Sequence, residues 1–382
     1  MRDDLAPHAQ IWVPTWAHHK MFFMYQPAVQ TIQEGLRAAN ISARVLTKQN
    51  QFGNLKHLRP GDVWIWVGAG SNDVMLSHLQ NNITNGVLTI YYSTEADFGV
   101  PCVMKLAFPV HEVWEYSMRN VLCCKPISRR PWRFVPPGYI RRPVMAGTQE
   151  AGANRSVWFL GSTASYYDKR RACLRSIAQQ LTLGAAGLPA RGQLPRESSA
   201  CVHGFCAGAN CAALGCSLRL RNTAYDEASF DRQLQAGETY FSVHKHCNLT
   251  AVSSFMACES FRFAPLLSAG ALVFSEHCHP EDERAYEGLV QFATISELGW
   301  QVDGEWRRPQ STAPQRAAIF AQRFAPASIF ERAGIIEALA AHTQKYLSAP
   351  AKTTVATMAA PRLGYDPTRR APPYCGKGNM GF

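Results

Sequence analysis

The sequence predicts an α/β protein whose parallel sheets are covered by helices. Segments typical of strands alternate with segments of helical spacing along most of the chain. Several strand segments are almost continuously apolar, as expected of strands buried on both faces. Glycine and polar residues gather directly after these strands, where open α/β sheets bind ligands. The chain has 382 residues, of which 47% are hydrophobic, so two domains are expected rather than one.

The first half supplies six strand candidates and three helix candidates. Apolar runs predict the strands, and recurrence at three to four residues predicts the helices. The strands are Ile11–Val13, Ser42–Leu46, Val63–Val67, Gly86–Tyr92, Val110–Trp114 and Arg133–Val135, and the helices are Pro27–Asn40, Val74–Gln80 and one beginning at Met118.

The second half repeats this alternation after a stretch of low complexity. Residues 142–154 are rich in glycine and alanine and show no periodicity, so they are predicted to link domains 1–141 and 155–348. Residues 184–235 are irregular and are interpreted as a cysteine-rich insertion, and 349–382 as a loose tail. The predicted strands are Ser156–Leu160, Tyr240–Val243, Ala271–Phe274 and Leu289–Phe292, and the helices are Tyr167–Leu181, Asp226–Leu234, Phe255–Ser268, Pro314–Phe324 and Ala327–Tyr346.

The segment from Tyr240 to Glu276 carries the strongest candidates for chemistry. It reads as a strand, a polar loop, a helix closed by Gly270 and a second strand. A glycine after a strand allows a phosphate to approach the backbone, and an arginine can neutralise a diphosphate. Gly161 and Ser162 follow the predicted strand Ser156–Leu160 in the same half of the chain. Together with them, the candidates for binding a phosphate or a sugar are His244, Glu259, Arg262, Ser275 and Glu276.

Three of these residues also have a purely structural interpretation. Glu259 and Arg262 are three residues apart, so they could form an ordinary ion pair on a helix surface. His244 could simply close a strand end. In the first half, Glu95, Tyr116, Ser117, Gly138 and Tyr139 also follow predicted strands and would share one edge of a sheet.

The spacing of the cysteines and the net charge of the chain limit which kinds of site and partner are expected, but they do not identify a single partner. Among the 12 cysteines, Cys201, Cys206, Cys211 and Cys216 have an even spacing of four intervening residues, which favours an insertion loop over a structural zinc site. The N-terminus lacks the pattern of a secretory signal, so a cytoplasmic location and free thiols are expected. The formal net charge of +11 favours anionic partners, including nucleotide phosphates, nucleic acid and acidic membranes. Because the basic residues are scattered, nucleic acid is the least favoured.

Five segments, taken together and in order, resemble the GT-B glycosyltransferases, in particular their CgeB-like and spore-maturation-like branch. These are YYSTEAD, HEVWEYSMRN, FVPPGYI, SVWFLGS, and the run containing FSVHKH, CESFRF and SAGALVFSE. The resemblance covers residues 60–300. It implies two Rossmann-like domains facing across a cleft, with a nucleotide-sugar bound mainly by the C-terminal one.

The resemblance also implies roles for the candidates. Gly161, Ser162, Glu259, Arg262, Ser275 and Glu276 would bind the donor, and Tyr116, Ser117, Gly138 and Tyr139 would lie on the acceptor side. His244 and Glu95 would be the catalytic residues. The implied enzyme is metal-independent, needs no cofactor beyond its nucleotide-sugar, and transfers the sugar to a hydroxyl of a glycan, protein or small molecule. Independently of the resemblance, the sequence has no run of about 18 uncharged apolar residues, so no transmembrane segment is expected, and nucleic acid is not an expected partner.

One departure from the family pattern leaves an alternative open. Many GT-B enzymes carry a second glutamate eight residues after the first, and here that region holds Pro265. The alternative is therefore a non-catalytic protein of this fold that binds a nucleotide or a glycan.

Overall fold

The computed structural model contains two compact units. It describes residues 7–13, 22–46, 58–68, 86–94, 102, 109–141, 157–159, 168–185, 202–204, 239–244, 247, 256–307 and 311–347. The first unit comprises residues 1–138 and 324–382, and the second comprises 139–323. The predicted linker 142–154, most of the insertion 184–235, the helices Val74–Gln80 and Asp226–Leu234 and the tail 349–382 lie outside the described residues.

The first unit is built on a six-stranded sheet in which every described pair is parallel. Its order is β2-β1-β3-β4-β5-β6. The strands are β1 (His8–Trp12), β2 (Ser42–Leu46), β3 (Val63–Gly68), β4 (Leu88–Ser93), β5 (Glu112–Glu115) and β6 (Trp132–Phe134). All six predicted strands are confirmed, with ends that differ by up to three residues.

The core of this sheet explains why its central strands read as continuous apolar runs. Every residue of β3 and β4 is buried, so both faces are covered. Trp66 packs between Trp12 and Tyr91, with ring centroids 6.0 Å and 5.3 Å away. Helix α1 (Phe22–Ala38) and helix α2 (Met118–Cys124) belong to the same unit.

Two C-terminal helices also belong to the first unit, which differs from the predicted boundary. The sequence interpretation placed residues up to 348 in the second domain, as one helix from Ala327. The structure has α8 (Pro326–Arg332) and α9 (Ile335–Leu347), separated by Gly334 with a φ of 63°. Helix α8 packs against α1, and Phe330 meets Trp114 edge-on at 5.3 Å between centroids. Because Phe330 is buried in the core of the first unit, these helices belong to that unit although the second unit is closer to them along the chain.

The second unit is built on a five-stranded parallel sheet of order β11-β10-β9-β7-β8. The four strands predicted in this half are confirmed, and β8 was not predicted. The strands are β7 (Val157–Phe159), β8 (Val202–Gly204), β9 (Thr239–Ser242), β10 (Leu272–Glu276) and β11 (Val290–Ala293).

Five described helices accompany this sheet. They are α3 (Asp168–Ala185), α4 (Ser260–Ser268), α5 (Pro280–Ala285), α6 (Ile295–Arg307) and α7 (Ala313–Arg323). Gly270 has a φ of 77° and follows α4, which confirms its predicted role in ending that helix. Helix α6 spans 13 residues, and α5 was not predicted.

The cysteines overturn the expectation of free thiols. The described residues contain Cys102–Cys124, Cys173–Cys247 and Cys258–Cys278 disulfides, and Cys123 is also disulfide-bonded. The paired cysteines are far apart in sequence, so their proximity is a property of the fold that spacing could not reveal. Across the described helices, none has the length and apolar character needed to cross a membrane.

Candidate functional site

Five charged or titratable side chains meet at the C-terminal edge of the second sheet. We call Arg170, His244, Glu259, Arg262 and Glu276 the arginine cluster. Parallel strands place their carboxyl ends on one edge, so the segments that follow β7, β9 and β10 meet there. Arg170 lies in the first turn of α3, which follows β7, and Glu259 directly precedes α4.

Glu259 is the centre of this cluster. Its Oε1 lies 3.4 Å from Arg262 Nη1, 3.7 Å from Arg170 Nη2 and 3.7 Å from His244 Nδ1. Burial by itself would raise the pKa of Glu259, but Arg262, His244 and Arg170 outweigh burial and hold the pKa well below its ordinary value. The carboxylate is therefore ionised at neutral pH and lies close to two arginine side chains.

The two arginines are held in place by the same strand end and the same aromatic ring. Arg262 Nη1 donates to the carbonyl of Val243 at 3.4 Å, and Arg170 Nε donates to the carbonyl of His244 at 3.4 Å. Their guanidinium carbons lie 5.9 Å and 5.4 Å from the centroid of the Phe159 ring. Such a ring attracts cations through its negative face, so the fold fixes both arginines before any ligand arrives.

Glu276 closes the cluster from β10. Its Oε1 accepts a hydrogen bond from the backbone amide of His244. Ser275, its neighbour, is buried and donates through Oγ to the carbonyl of Glu276 at 3.0 Å. The Ser275 hydroxyl therefore satisfies a backbone carbonyl at the end of the strand.

Polar atoms beside the cluster are left without partners. Within the described part of the chain, His244 Nε2 and Ser242 Oγ are buried and make no hydrogen bond. A buried polar atom without a partner costs free energy, so such atoms are usually kept for a ligand or water. The site can thus offer two guanidinium groups and an imidazole nitrogen to an anionic ligand.

The structure brings together most of the predicted donor residues that it describes. His244, Glu259, Arg262 and Glu276 are in direct contact through the distances given above. The surface ion pair considered for Glu259 and Arg262 is therefore only one part of a larger, mostly buried arrangement. Gly161 and Ser162 lie outside the described residues, and so does Glu95.

Arg170 is the residue that sequence reasoning did not assign. The run from Asp168 to Arg171 shows a basic first turn of a helix, but not which side chain points to the site. Arg170 is 1% exposed and reaches Glu259, whereas Arg171 pairs with Asp168 on the surface. A helical phase that buries Cys173, Leu174 and Ile177 on the same face as Arg170 was the available signal.

The predicted acceptor-side residues have mixed environments. Tyr116 and Ser117 are buried directly after β5, and Ser117 accepts a hydrogen bond from the amide of Asn120, which caps α2. The amide of Gly138 donates to Thr31 Oγ1 at 2.7 Å, and a Cβ at Gly138 would lie 2.6 Å from the carbonyl oxygen of Phe324. Gly138 therefore serves close packing within the first unit.

Tyr139 belongs to the second unit. Its ring meets that of Phe320 at 6.4 Å between centroids. Among the described residues, no group of three or more histidine, cysteine, aspartate or glutamate side chains is arranged to hold a metal ion. Cys201, Cys206, Cys211 and Cys216 lie outside the described residues, so the interpretation of that stretch stays a prediction.

Solved structures resemble this chain through its fold. The lipopolysaccharide outer core galactosyltransferase WaaB matches with a TM-score of 0.50 and 10% identity, over 86% of this chain and 99% of its own. The two-domain GT-B fold is confirmed. Anabaena HepE in complex with UDP-glucose matches at a TM-score of 0.42 and 13% identity, over 87% and 99% of the two chains.

A solved structure of a protein named for a different reaction matches over a similar length. A putative UDP-N-acetylglucosamine 2-epimerase from Listeria monocytogenes has a TM-score of 0.44 and 10% identity, over 90% of this chain and 98% of its own. At such identities the likeness shows the fold alone. No protein-family model and no curated protein matches the chain.

Proposed function

We propose that the protein is a glycosyltransferase that moves a sugar from a nucleotide-sugar donor to a hydroxyl acceptor. The observation that carries this proposal is the convergence of Arg170, Arg262 and His244 on one carboxylate at the C-terminal edge of the second sheet. The GT-B fold is consistent with it, and solved structures of this fold include a galactosyltransferase and a complex with UDP-glucose.

The arginine cluster suits the leaving group of such a reaction. When the bond between the anomeric carbon and the diphosphate breaks, negative charge accumulates on the phosphate oxygens. Arg262 and Arg170 can stabilise that charge through guanidinium hydrogen bonds, so the proposal requires no bound metal ion. Gly161 and Ser162 would add backbone and hydroxyl donors, and Glu259 and Glu276 would accept from donor hydroxyls.

The acceptor oxygen must lose a proton as it forms its bond to the anomeric carbon. His244 offers an unpartnered Nε2 that could take this proton or contact the transferring sugar, and Glu95 is the second candidate for a base. Tyr116, Ser117 and Tyr139 remain the proposed acceptor-side contacts. Gly138 also stays on the proposed acceptor side, and a side chain there would clash with the carbonyl of Phe324.

Calorimetry with UDP and GDP tests the phosphate role. Arg262→Ala is expected to weaken binding of the preferred nucleotide by about 10- to 100-fold, as expected for loss of a charged hydrogen bond of about 1.5–3 kcal/mol. Arg284→Ala is a matched control, because Arg284 forms the same i,i+3 pair with Glu281 but is 67% exposed. Unchanged affinity in Arg262→Ala, or equal losses in both variants, would contradict the assigned role.

A non-catalytic binding protein is the second candidate. The region where many GT-B enzymes carry their second glutamate holds Pro265, inside α4. A panel of nucleotide-sugars, followed by chromatography of the products, separates the two: release of nucleoside diphosphate supports the enzyme, and binding without turnover supports the alternative. Turnover that persists in excess EDTA would support metal independence.

The disulfides bear on where in the cell the protein is located. Disulfides persist mainly in oxidising compartments. Among the described residues, seven of the chain's 12 cysteines are disulfide-bonded, namely Cys102, Cys123, Cys124, Cys173, Cys247, Cys258 and Cys278. The expectation of a cytoplasmic location stays a prediction, and these disulfides weigh against it.

A further inference from the structure

Two disulfides connect the chain segments that carry the arginine cluster. Cys173–Cys247 joins α3 to the segment after β9, and Cys258–Cys278 joins the segment before α4 to the one after β10. Each bond therefore links two different elements at the same edge of the sheet. Within the described residues, no other disulfide lies in the second unit.

The cysteines lie close to cluster residues along the chain as well as in space. Arg170 is one helical turn before Cys173, and His244 is three residues before Cys247. Glu259 directly follows Cys258, and Glu276 is two residues before Cys278. The first bond thus ties the segment of Arg170 to that of His244, and the second ties the segment of Glu259 to that of Glu276.

Hydrogen bonds also join the second pair of segments. The amide of His279 donates to the carbonyl of Met256 at 2.7 Å, and the amide of Cys258 donates to Asp282 Oδ2 at 3.3 Å. Glu259 precedes α4 without capping it through its side chain. The position of Glu259 therefore depends on the backbone around Cys258, which the disulfide fixes directly.

We propose that thiol–disulfide exchange at Cys173–Cys247 and Cys258–Cys278 controls whether the arginine cluster can bind a nucleoside diphosphate. This proposal rests on the donor-binding role given above. A dithiol reductant supplies two electrons and two protons per bond: its thiolate attacks one sulfur, its second thiol resolves the mixed disulfide, and two cysteine thiols and an oxidised reductant result. The segments released by reduction regain conformational freedom, so the arginine cluster is no longer preorganised for ligand binding.

Nucleotide binding and reduction of these disulfides are expected to oppose each other. All four cysteines are buried, so a reductant reaches them only after the local structure opens. A ligand that binds the closed form and not the open form must slow that opening, by linkage. Nucleotide binding is therefore expected to protect these two bonds from reduction.

Timed reduction with dithiothreitol, followed by differential alkylation and mass spectrometry, tests this protection. UDP or GDP, whichever calorimetry shows to bind the oxidised protein, is added at ten times its Kd. Reduction of the two second-unit bonds is expected to slow by about tenfold. Cys102–Cys124 is the matched control, because it is buried and spans 22 residues where Cys258–Cys278 spans 20. Absence of slowing, or equal slowing of all three bonds, would overturn the proposal.

Paired serine variants test the consequence for binding. Cys258→Ser with Cys278→Ser is expected to lower nucleotide affinity at least about tenfold, whereas Cys102→Ser with Cys124→Ser, which opens a similar loop in the first unit, should leave affinity unchanged. Circular dichroism confirms that both variants fold. Equal affinity in the two variants counts against the proposal.

Amide hydrogen exchange separates this proposal from the donor-binding role. Reduction is expected to speed exchange at residues 239–244 and 256–262, and this measurement needs no nucleotide. If neither UDP nor GDP binds the oxidised protein, the donor-binding role fails, while faster exchange still supports the structural coupling. Unchanged exchange after complete reduction overturns the coupling itself.

Discussion

Arg170 Nη2 lies 3.7 Å from Glu259 Oε1, and this pair joins the first helix of the second unit to the start of α4. Arg170 is 1% exposed and Glu259 is 25% exposed, so the arginine charge is buried while the carboxylate still meets solvent. A buried cation with such a partner is costly to separate, since removal of either charge leaves the other poorly compensated.

Replacement of Arg170 should destabilise the protein. Arg170→Met keeps much of the side-chain length but removes the contact with Glu259 and the bond to the carbonyl of His244, so a loss of about 2 kcal/mol is expected. Urea denaturation measures it. Arg171→Met is the control, because Arg171 pairs with the exposed Asp168 and should cost less than about 1 kcal/mol. A similar loss of unfolding free energy in the two variants would show that the buried contact of Arg170 stabilises the protein no more than the surface pair of Arg171.

The sequence revealed the sheet more fully than the site. Strands such as Val63–Gly68 are buried along their whole length, so their apolar composition alone marks them. Gly270 likewise marks the end of α4, since few other residues adopt a φ of 77°. His244 and Glu276 could be proposed as site residues because each lies at the end of a predicted strand. Glu259 could be proposed because it lies in the segment between those two strands.

Long-range packing limited the rest of the prediction. Arg170 is one of several basic residues in its helical turn, and only the core beneath α3 decides which of them is buried. The disulfides join cysteines 74 and 20 residues apart in the second unit, which no local pattern encodes. Helices α8 and α9 belong to the first unit because Phe330 packs against α1 and Trp114. This packing depends on complementary side-chain shapes in the folded protein, which no local sequence pattern shows.

The fit of α8 on α1 predicts a strong effect at Gly35. A Cβ at this position would lie 2.3 Å from the Phe330 ring, so Gly35→Ala is expected to cost about 2 kcal/mol through overpacking. Gly304→Ala, also in a helix but with open space around its Cβ position, should instead stabilise by about 0.5 kcal/mol. Thermal unfolding compares them. In a Phe330→Leu background the cost at Gly35 should fall, and an unchanged cost would refute this contact as the cause.

Stability should depend on pH through His342 in the first unit. Burial, with help from His111 and Lys345, lowers the pKa of His342 from 6.5 to about 4. Between these values the unfolded chain binds more protons than the native one, so stability is present above pH 6.5 and is lost as pH falls towards 4. Because His342 is only partly buried, a loss of up to about 2 kcal/mol is expected.

Urea denaturation of the wild type and His342→Gln from pH 4 to 7 measures this effect. The variant should show a flatter dependence, with the difference growing towards low pH. His111, whose pKa is also lowered, first by burial and then by Arg130, contributes a dependence of the same sign in both proteins. Parallel curves for the two proteins would rule out His342 as the titrating group.

Phe159 connects stability of the second unit to its proposed ligand binding. Its ring is fully buried and lies within 6 Å of both guanidinium groups of the arginine cluster, at 5.4 Å and 5.9 Å. Phe159→Leu removes both cation–π contacts while it keeps an apolar side chain, so losses of about 2 kcal/mol in stability and about tenfold in nucleotide affinity are expected.

Phe241→Leu is the matched control for this change. Phe241 is the register partner of Phe159 on the neighbouring strand, is equally buried, and packs against Phe274 at 6.3 Å between centroids. Its replacement should cost a similar packing energy with little change in nucleotide affinity, because Phe241 packs against Phe274 whereas both guanidinium groups of the cluster lie over the ring of Phe159. Calorimetry and urea denaturation of both variants decide the matter: if affinity falls equally in the two, general loosening of the sheet explains the effect, and the ring beneath the arginines has no separate role.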